Sequence, residues 1–442
     1  MTSPDRKREA GVMIDAGRKY FRPETLARLI GVIADLGLNT LQLHFSEDMG
    51  LGLDCPAYPW LAGRDGILCT QGKIGTVFPD TRFLTIPELT DLLSLAASNG
   101  INVIPSLDSP GHLNYTVKRF HDRVAEKGSV AFGYGEDLYE VYTDGGLYGF
   151  RKNGKELNLP AETSGVYGIG SYFLTGGVAG RVQGTNNNEY SRGIDLSNEV
   201  AVAFLKSVID SYANLFYALG CRDIDVGGDE LLGFRPAVVD LSVLTRWNQL
   251  DSWREAAVRK SGLSTAVAYD LFVIWMNSLM AMMKDIGYRS VRIWNDEFRR
   301  TFDTGWTPDP AAHVQFDPSF TVQYWSSKPN YESPASLARA GYRLINADSV
   351  HSYYVLITKA RSNPPESYTK VTPEAITAEW DPFRFGTGEG EWDLSEGGER
   401  AAVAGAIFCD WNDCPTLRTD REVVDEMIPL LEAWSKKALG TI

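Results

Sequence analysis

The sequence predicts an α/β protein, a (β/α)8 TIM barrel with long loops on the C-terminal face of its strands. An amphipathic helix that stops at a glycine and then leads into an apolar strand recurs along the chain. The recurrence supplies about eight strands, which is the number in a TIM barrel. Most of these strands end at an acid, a histidine or a tryptophan, and a TIM barrel carries its functional residues at that end.

The first repeat has the whole pattern. Pro23 suits the first turn of a helix over 23–36, Gly37 supplies the stop, and a strand over 40–45 follows. The other predicted strands span 11–15, 101–107, 223–226, 291–296, 321–325, 342–346 and 405–411. The other predicted helices span 85–99, 264–286, 335–340 and the segment from a Ser197 cap to Gly220. An open doubly wound sheet is the alternative, but it usually has fewer strands and a glycine-rich first turn, which this sequence lacks.

The domain organisation follows from the extent of the repeats. We expect residues 1–10 to form a disordered tail and residues 11–442 to form a single barrel domain. An insertion around 128–193, rich in Gly, Tyr and Asn, and a second segment over 357–400 interrupt the pattern. Both are expected on the C-terminal face, either as mobile surface loops or as a rim that sets substrate preference, and both interpretations stay open.

The charge balance excludes some classes of partner. Lys and Arg number 43 and Asp and Glu number 57, which gives a formal net charge of −14. This charge argues against a nucleic-acid partner and against docking on anionic lipid. No apolar run reaches the roughly 20 residues of a membrane span, and the polar start lacks the apolar core of a signal peptide. We expect a monomer or weak dimer, secreted or at the cell surface after removal of a leader, with the cytoplasm as the alternative.

The sequence predicts neither a metal nor a cofactor. The five cysteines have no zinc-ligand spacing, and no phosphate-binding loop is present. Cys55 and Cys69 form a candidate disulfide pair in an exported protein, whereas buried, inert thiols are the alternative.

The strand ends predict a polar pocket with aromatic walls. They carry Asp15, His44, Asp108, Asp229, Glu230, Trp294, Asp296, Trp325, Asp348, Trp411 and Asp413. This combination favours carbohydrate, because sugars stack their C–H faces on indole rings and offer hydroxyls to carboxylates. The Asp229-Glu230 pair after two glycines is the sharpest signal, since adjacent carboxylates can be held in different protonation states. A helix N-cap is the alternative interpretation of the pair.

The segment Gly227-Gly228-Asp229-Glu230 resembles the signature of glycoside hydrolase family 20, the β-N-acetylhexosaminidases. The resemblance runs from about residue 11 to about residue 435, and it is strongest to bacterial dispersin-type and streptococcal surface enzymes. The supporting motifs, in chain order, are Met13–Phe21, His44–Asp48, Pro105–His112, Ile293–Asp296, Tyr324–Ser326, Ser352–Tyr354 and Trp411–Asp413.

The resemblance implies a retaining exo-β-N-acetylhexosaminidase that releases terminal N-acetylglucosamine or N-acetylgalactosamine from glycans. In this family the 2-acetamido group of the substrate is the nucleophile, and an oxazolinium ion is the intermediate. By resemblance, Glu230 is the general acid and base, Asp229 orients the acetamido group, and Tyr354 donates to its oxygen. The other implied site residues are Trp294, Trp325 and Trp411 as pocket walls, Arg18 and Asp413 for sugar hydroxyls, and Glu47 with His112 as a supporting relay.

The sequence departs from the family pattern in the residues that support the site. The family commonly has Glu at the position of Ser106, His at that of Asp225 and Asp at that of Glu47. Two extra residues ahead of the tyrosine pair leave Tyr353 as the alternative to Tyr354.

Other interpretations stay open at this point. Taken singly, each tryptophan is also typical of a barrel core, Arg18 of a surface and His112 of a structural histidine. At the level of function, the alternatives are a catalytically silent carbohydrate-binding barrel and a conventional two-carboxylate β-glycosidase. In the second case, Asp108 or Asp296 would be the partner carboxylate.

Overall fold

Eight parallel strands close into a barrel. The computed structural model describes residues 8–64, 81–144, 147–157, 193–230, 251–299, 313–327, 331–356, 371–386 and 392–441. The barrel strands are β1 Glu9–Asp15, β2 Thr40–His44, β3 Asn102–Ser106, β4 Asp223–Asp225, β5 Ser290–Trp294, β6 Phe320–Tyr324, β7 Arg343–Asn346 and β8 Val403–Trp411. Each pairs in parallel with the next, and β1 pairs with β8 to close the cylinder. The predicted fold is therefore confirmed.

The register brings the C-terminal strand ends to one level. Asp15 on β1 lies opposite His44 on β2, and His44 lies opposite Ser106 on β3. The last residues of β8 extend past β7 and pair there with a short strand, Tyr353–Val355. This extra strand brings a tyrosine pair to the same end of the barrel as the other candidate site residues.

Helices cover the outside of the barrel. They are α1 Pro23–Asp35, α2 Ile86–Ser98, α3 Asn114–Lys127, α4 Glu199–Ala218, α5 Asp251–Ser261, α6 Ala268–Ile286, α7 Pro334–Arg339, α8 Pro373–Glu379 and α9 Asp420–Ala438, with a 3-10 turn at Gly398–Ala402. The predicted capping box of Thr85 and Glu88 is present. Helix α4 is capped by Asn198, because Ser197, the expected cap, donates its hydroxyl to Asp195 instead.

A polar network fills the middle of the barrel. The Ser106 hydroxyl donates to Asp225 at 2.6 Å, and the Gln42 amide donates to the same oxygen at 3.1 Å. The same hydroxyl oxygen of Ser106 also lies 2.8 Å from His44 Nδ1. Two of the departures from the family pattern, Ser106 and Asp225, thus bind each other. Below them, Arg292 pairs with Glu9 at 2.6 Å.

Part of the predicted loop insertion is a sheet, so that expectation was wrong for residues 129–156. The strands Ser129–Tyr134, Asp137–Asp144, Leu147–Lys152 and Lys155–Glu156 form an antiparallel sheet. Alternate side chains such as Val130 and Phe132 are buried on one face. Asn153 and Gly154 have φ values of 51° and 76° and form the tight turn before the last strand. The rest of the insertion, residues 158–192, lies outside the described residues.

Two further small sheets accompany the barrel. Strands Ser46–Glu47, Gly50–Leu51 and Gly63–Arg64 form a small sheet, and Arg384–Phe385 pairs with Trp392–Asp393. Glu9 and Ala10, expected in the tail, belong to β1.

Among the described residues, no helix has the length and apolar character needed to cross a membrane. Cys69 lies outside the described residues, so the pair with Cys55 is not described.

Candidate active site

Two glycines set the Asp229-Glu230 pair against the neighbouring strand ends. Gly227 and Gly228 have φ values of 74° and 96°, which side chains rarely adopt. A Cβ on Gly227 would lie 2.8 Å from the Ser109 backbone nitrogen, so there is no room for a side chain at this position. The side chains of Asp229 and Glu230 are 15% and 25% exposed, so both are largely buried at the strand ends and do not extend into bulk solvent.

His112 contacts both carboxylates. Its Nε2 atom lies 3.6 Å from Asp229 Oδ2 and 3.4 Å from Glu230 Oε2. Its Nδ1 atom lies 3.1 Å from Glu47 Oε2. The predicted supporting residues Glu47 and His112 thus lie next to the predicted catalytic pair.

Arg18 lies on the other side of Glu47. Its guanidinium contacts Glu47 at 2.5 Å and Asp15 at 2.9 Å, and it lies 3.8 Å from Asp413. It also lies 5.4 Å from the centre of the Trp411 ring. Arg18 is therefore fixed by buried carboxylates at the strand ends and does not extend from the surface.

Three tryptophans and a tyrosine form a continuous aromatic wall. Trp411 lies 5.9 Å from Trp294 and 6.0 Å from Tyr353, measured between ring centroids. Trp325 stacks on Tyr353 at 6.3 Å. Trp294 and Tyr353 belong to a small buried apolar cluster inside the barrel that includes Met13, and the partly buried Trp325 and Trp411 pack against it.

The structure does not bring Tyr354 into this group. Its hydroxyl donates to Glu426 on α9 at 2.5 Å, on the outside of the barrel. Successive residues of a strand point to opposite sides, so only one tyrosine of the pair can face inward. That residue is Tyr353, which is 5% exposed and lies among the tryptophans. The structure therefore places Tyr354 outside this group and its alternative, Tyr353, inside it, and the role of either tyrosine toward a substrate stays a prediction.

Asp296 lies between the carboxylates and the aromatic wall; the sequence predicts it as a strand-end acid and as a partner carboxylate in the alternative two-carboxylate mechanism, without a role in the main one. Asp296 accepts the backbone N–H of Glu230 at 2.8 Å and the indole N–H of Trp325 at 3.1 Å. Its signal in the sequence was its place at the end of a predicted strand. Each of the following residues contacts the next, and the last contacts the first: Arg18, Glu47, His112, Glu230, Asp296, Trp325, Tyr353 and Trp411.

Burial and charge pairing shift the pKa values of these groups. Burial opposes the charged form of His112, but Glu47, Asp229 and Glu230 outweigh it and raise its pKa well above the ordinary range. Burial raises the pKa of Asp229, against the opposing effect of His112. For Glu47, Arg18 and His112 outweigh burial and hold its pKa well below the usual range. These shifts favour a protonated imidazole between Glu47 and the adjacent acids.

Two overlapping groups of side chains have the spacing of a cation site. They are His44, Glu47 and Asp108, and Glu47, Asp48 and His112, with ligand atoms within 4.8 Å of one another in each. Their charges are already paired inside the protein, since Glu47 contacts Arg18 and Asp108 lies 3.2 Å from His44. These pairs explain how the carboxylates are buried without requiring an ion.

Comparisons with known proteins agree with this geometry. A barrel whose strand ends hold paired carboxylates beside an aromatic wall is typical of carbohydrate-active barrels. Residues 10–434 match the family model described as glycosyl hydrolase family 20, catalytic domain. The chain belongs to glycosyl hydrolase family 20, which confirms the resemblance found in the sequence.

Solved structures share the fold. The chain is similar to dispersin B, with 19% identity and a TM-score of 0.59 over 98% of this chain and 99% of that chain. It is equally similar to a GH20 catalytic module of the pneumococcal exo-β-D-N-acetylglucosaminidase StrH, with 20% identity and a TM-score of 0.59 over 97% and 83% of the two chains. At these identities the similarity extends to the fold alone.

Curated relatives are longer than this chain. A β-N-acetylhexosaminidase of Cellulomonas fimi is 30% identical over 112 residues, which are 25% of this chain and 21% of the relative. A β-hexosaminidase of Vibrio vulnificus is 22% identical over 470 residues, or 97% of this chain and 47% of the relative. The chain thus spans about half of the second relative and matches a fifth of the first.

Proposed function

We propose that this protein is a retaining exo-β-N-acetylhexosaminidase that uses the 2-acetamido group of its substrate as the nucleophile. The observation that carries the proposal is the contact of one imidazole, His112, with two adjacent carboxylates, at 3.6 Å from Asp229 and 3.4 Å from Glu230. Substrate-assisted cleavage needs two such carboxylates side by side, because the protein supplies a general acid and an orienting carboxylate but no nucleophile. Family membership supports the same reaction class.

Glu230 is the general acid in this proposal. It protonates the leaving oxygen while the acetamido oxygen attacks the anomeric carbon, and it later removes a proton from the water that opens the oxazolinium ring. Glu230 is the more exposed of the two acids, which suits a residue that must reach both the leaving group and a water molecule. His112 and Glu47 hold it on the side away from the substrate.

Asp229 accepts the acetamido N–H and stabilises the oxazolinium cation. Burial disfavours its charge and raises its pKa. A positive charge that develops on the substrate then favours the ionised form, so the interaction is stronger in the transition state than in the ground state. Tyr353, in place of Tyr354, donates its hydroxyl to the acetamido oxygen, and this tethered geometry removes much of the entropic barrier.

The walls determine which sugar enters. Trp294, Trp325 and Trp411 enclose the acetamido group, and Arg18 with Asp413 binds the sugar hydroxyls. Exo action on a terminal sugar is part of the same proposal and is supported by membership of the family. Both N-acetylglucosamine and N-acetylgalactosamine remain candidate terminal sugars.

Comparing substrates tests this proposal. We expect hydrolysis of 4-nitrophenyl N-acetyl-β-D-glucosaminide or galactosaminide, and a rate at least about 100-fold lower for 4-nitrophenyl β-D-glucoside, which lacks the tethered nucleophile. Similar rates with both would point to a two-carboxylate glycosidase instead. Binding of N-acetylglucosamine in calorimetry without any product would point to the silent barrel.

A further inference from the structure

We propose that Asp296 is a positioning residue that fixes the general acid by holding the main chain of Glu230. It acts from the end of β5 on a residue at the end of β4, and it ties that residue to the aromatic wall through Trp325. The inference rests on the proposed function of Glu230 as general acid.

The main chain of Glu230 needs an external support. Its φ of 46° lies in the left-handed region, which residues with a side chain seldom adopt. Such a conformation persists only where surrounding contacts hold it. One such contact is the hydrogen bond from the Glu230 N–H to Asp296 Oδ2 at 2.8 Å.

The second oxygen of Asp296 is also engaged. It accepts the indole N–H of Trp325 at 3.1 Å, and the side chain is 1% exposed. The preceding residue, Asn295, accepts the backbone N–H of Trp325 at 2.8 Å and donates to the Ser326 carbonyl at 2.7 Å. The end of β5 therefore fixes the loop after β4 and the loop after β6 at the same time.

This geometry requires a carboxyl group. Both partners of Asp296 are N–H donors, and each carboxyl oxygen keeps a lone pair that can accept, whether or not the group is protonated. An asparagine has one acceptor and would turn an NH2 group toward one of the two donors. The substitution therefore leaves one of the two donors without an acceptor. The backbone of Trp325 stays bound to Asn295, so the Glu230 main chain is the part that we expect to move. A small displacement of a general acid has a large effect on proton transfer.

The dependence on leaving group separates positioning of the acid from a general structural role. A 2,4-dinitrophenolate leaves without protonation, whereas the sugar leaving group of N,N'-diacetylchitobiose needs the proton of Glu230. For Asp296→Asn we expect kcat/KM for the disaccharide to fall about 10–100-fold, and kcat/KM for 2,4-dinitrophenyl N-acetyl-β-D-glucosaminide to fall less than about 3-fold. The ratio kcat/KM reports the first step, before Glu230 acts as the base on water. Equal losses with both substrates, or no loss with either, would overturn the inference.

Asp270 offers a matched control. It is a fully buried aspartate whose two oxygens accept the backbone N–H groups of Val267 at 2.8 Å and Val314 at 2.7 Å, outside the pocket. Asp270→Asn introduces the same defect, so both activities should change by the same factor. If Asp296→Asn does not fold, Asp296→Glu keeps both acceptors but displaces them, and it must give the same split between the two substrates.

A double-mutant cycle gives a second readout. In the Glu230→Gln background Asp296 has no proton donor to position, so Asp296→Asn should lower kcat for the disaccharide by less than about 3-fold further. Additive losses would contradict the inference. If the wild-type protein cleaves neither substrate, the proposed function itself fails; if it cleaves both and the cycle is additive, only the role of Asp296 fails.

Discussion

Tyr353 stacks on Trp325 with the ring centroids 6.3 Å apart and the ring planes 12° from parallel. The next residue, Tyr354, points the opposite way and donates its hydroxyl to Glu426. One residue of register on a short strand thus separates a tyrosine inside the pocket from a tyrosine on the outer surface.

The two tyrosines should respond differently to the same change. We expect Tyr353→Phe to lower kcat/KM for 4-nitrophenyl N-acetyl-β-D-glucosaminide by about 10–100-fold, because the acetamido oxygen loses its donor. Tyr354→Phe should keep near wild-type activity and lose about 1 kcal/mol of unfolding free energy, from the hydrogen bond to Glu426. Steady-state kinetics and urea denaturation check both. The reverse pattern would return the role to Tyr354.

Removal of the general acid should nearly abolish turnover. We expect Glu230→Gln to reduce kcat for N,N'-diacetylchitobiose by about 10²–10⁴-fold, the usual contribution of general acid catalysis. The unfolding free energy should change little, because the side chain is 25% exposed. Glu432→Gln, at an exposed position on α9, is the control. Full activity of the Glu230 variant would assign the acid to another residue.

The barrel could be predicted because its signals are local. Each helix–glycine–strand unit occupies one stretch of sequence, as helix α1 and strand β2 illustrate, and the strand bounds agree with the structure within two residues. The inserted sheet was missed although Asn153-Gly154 is a hairpin signal, because the high glycine and asparagine content of the segment is also typical of loops.

The contacts within the site depend on the way distant strand ends meet. The sequence predicts Asp296 at a strand end, but its partners Glu230 and Trp325 come from the two neighbouring strands, 66 and 29 residues away. Which tyrosine faces inward depends on pairing with β8, and no local pattern distinguishes Tyr353 from Tyr354.

The close approach at Gly228 should make it intolerant of a side chain. A Cβ there would lie 2.7 Å from Ile293 Cγ1, and φ is 96°. Gly220 is a matched control, with a φ of 98° and no atom within 4 Å of the point that a Cβ would occupy. We expect Gly220→Ala to cost about 1–2 kcal/mol of unfolding free energy from the backbone alone. Gly228→Ala should cost more and should also lower activity, since the clash displaces Asp229 and Glu230. Urea denaturation and kinetics measure the two effects, and equal costs for the two variants would contradict this account.

Stability should fall as the pH rises from about 4.5 to about 6.5, in part because of Asp296. Burial, together with Glu297 and Glu230, raises the pKa of Asp296 to about 7 in the folded protein, from an ordinary value of 3.8. Between these values the folded state holds a proton that the unfolded state has released, so unfolding releases a proton and rising pH favours it. The contribution of one such proton is at most about 1.4 kcal/mol per pH unit.

Asp296→Asn removes this titration, and urea denaturation at several pH values should then give a flatter dependence over the same range. Asp420 is the control, because its pKa is lowered to about 2, where bonds from Arg22 and Thr25 outweigh burial. Its carboxylate is ionised in both states above about pH 5, so Asp420→Asn should lower stability without changing the slope. An unchanged slope in Asp296→Asn would mean that Asp296 is ionised in the folded protein throughout this range. In that case its two N–H donors stabilise the charge more than burial and the neighbouring acids oppose it.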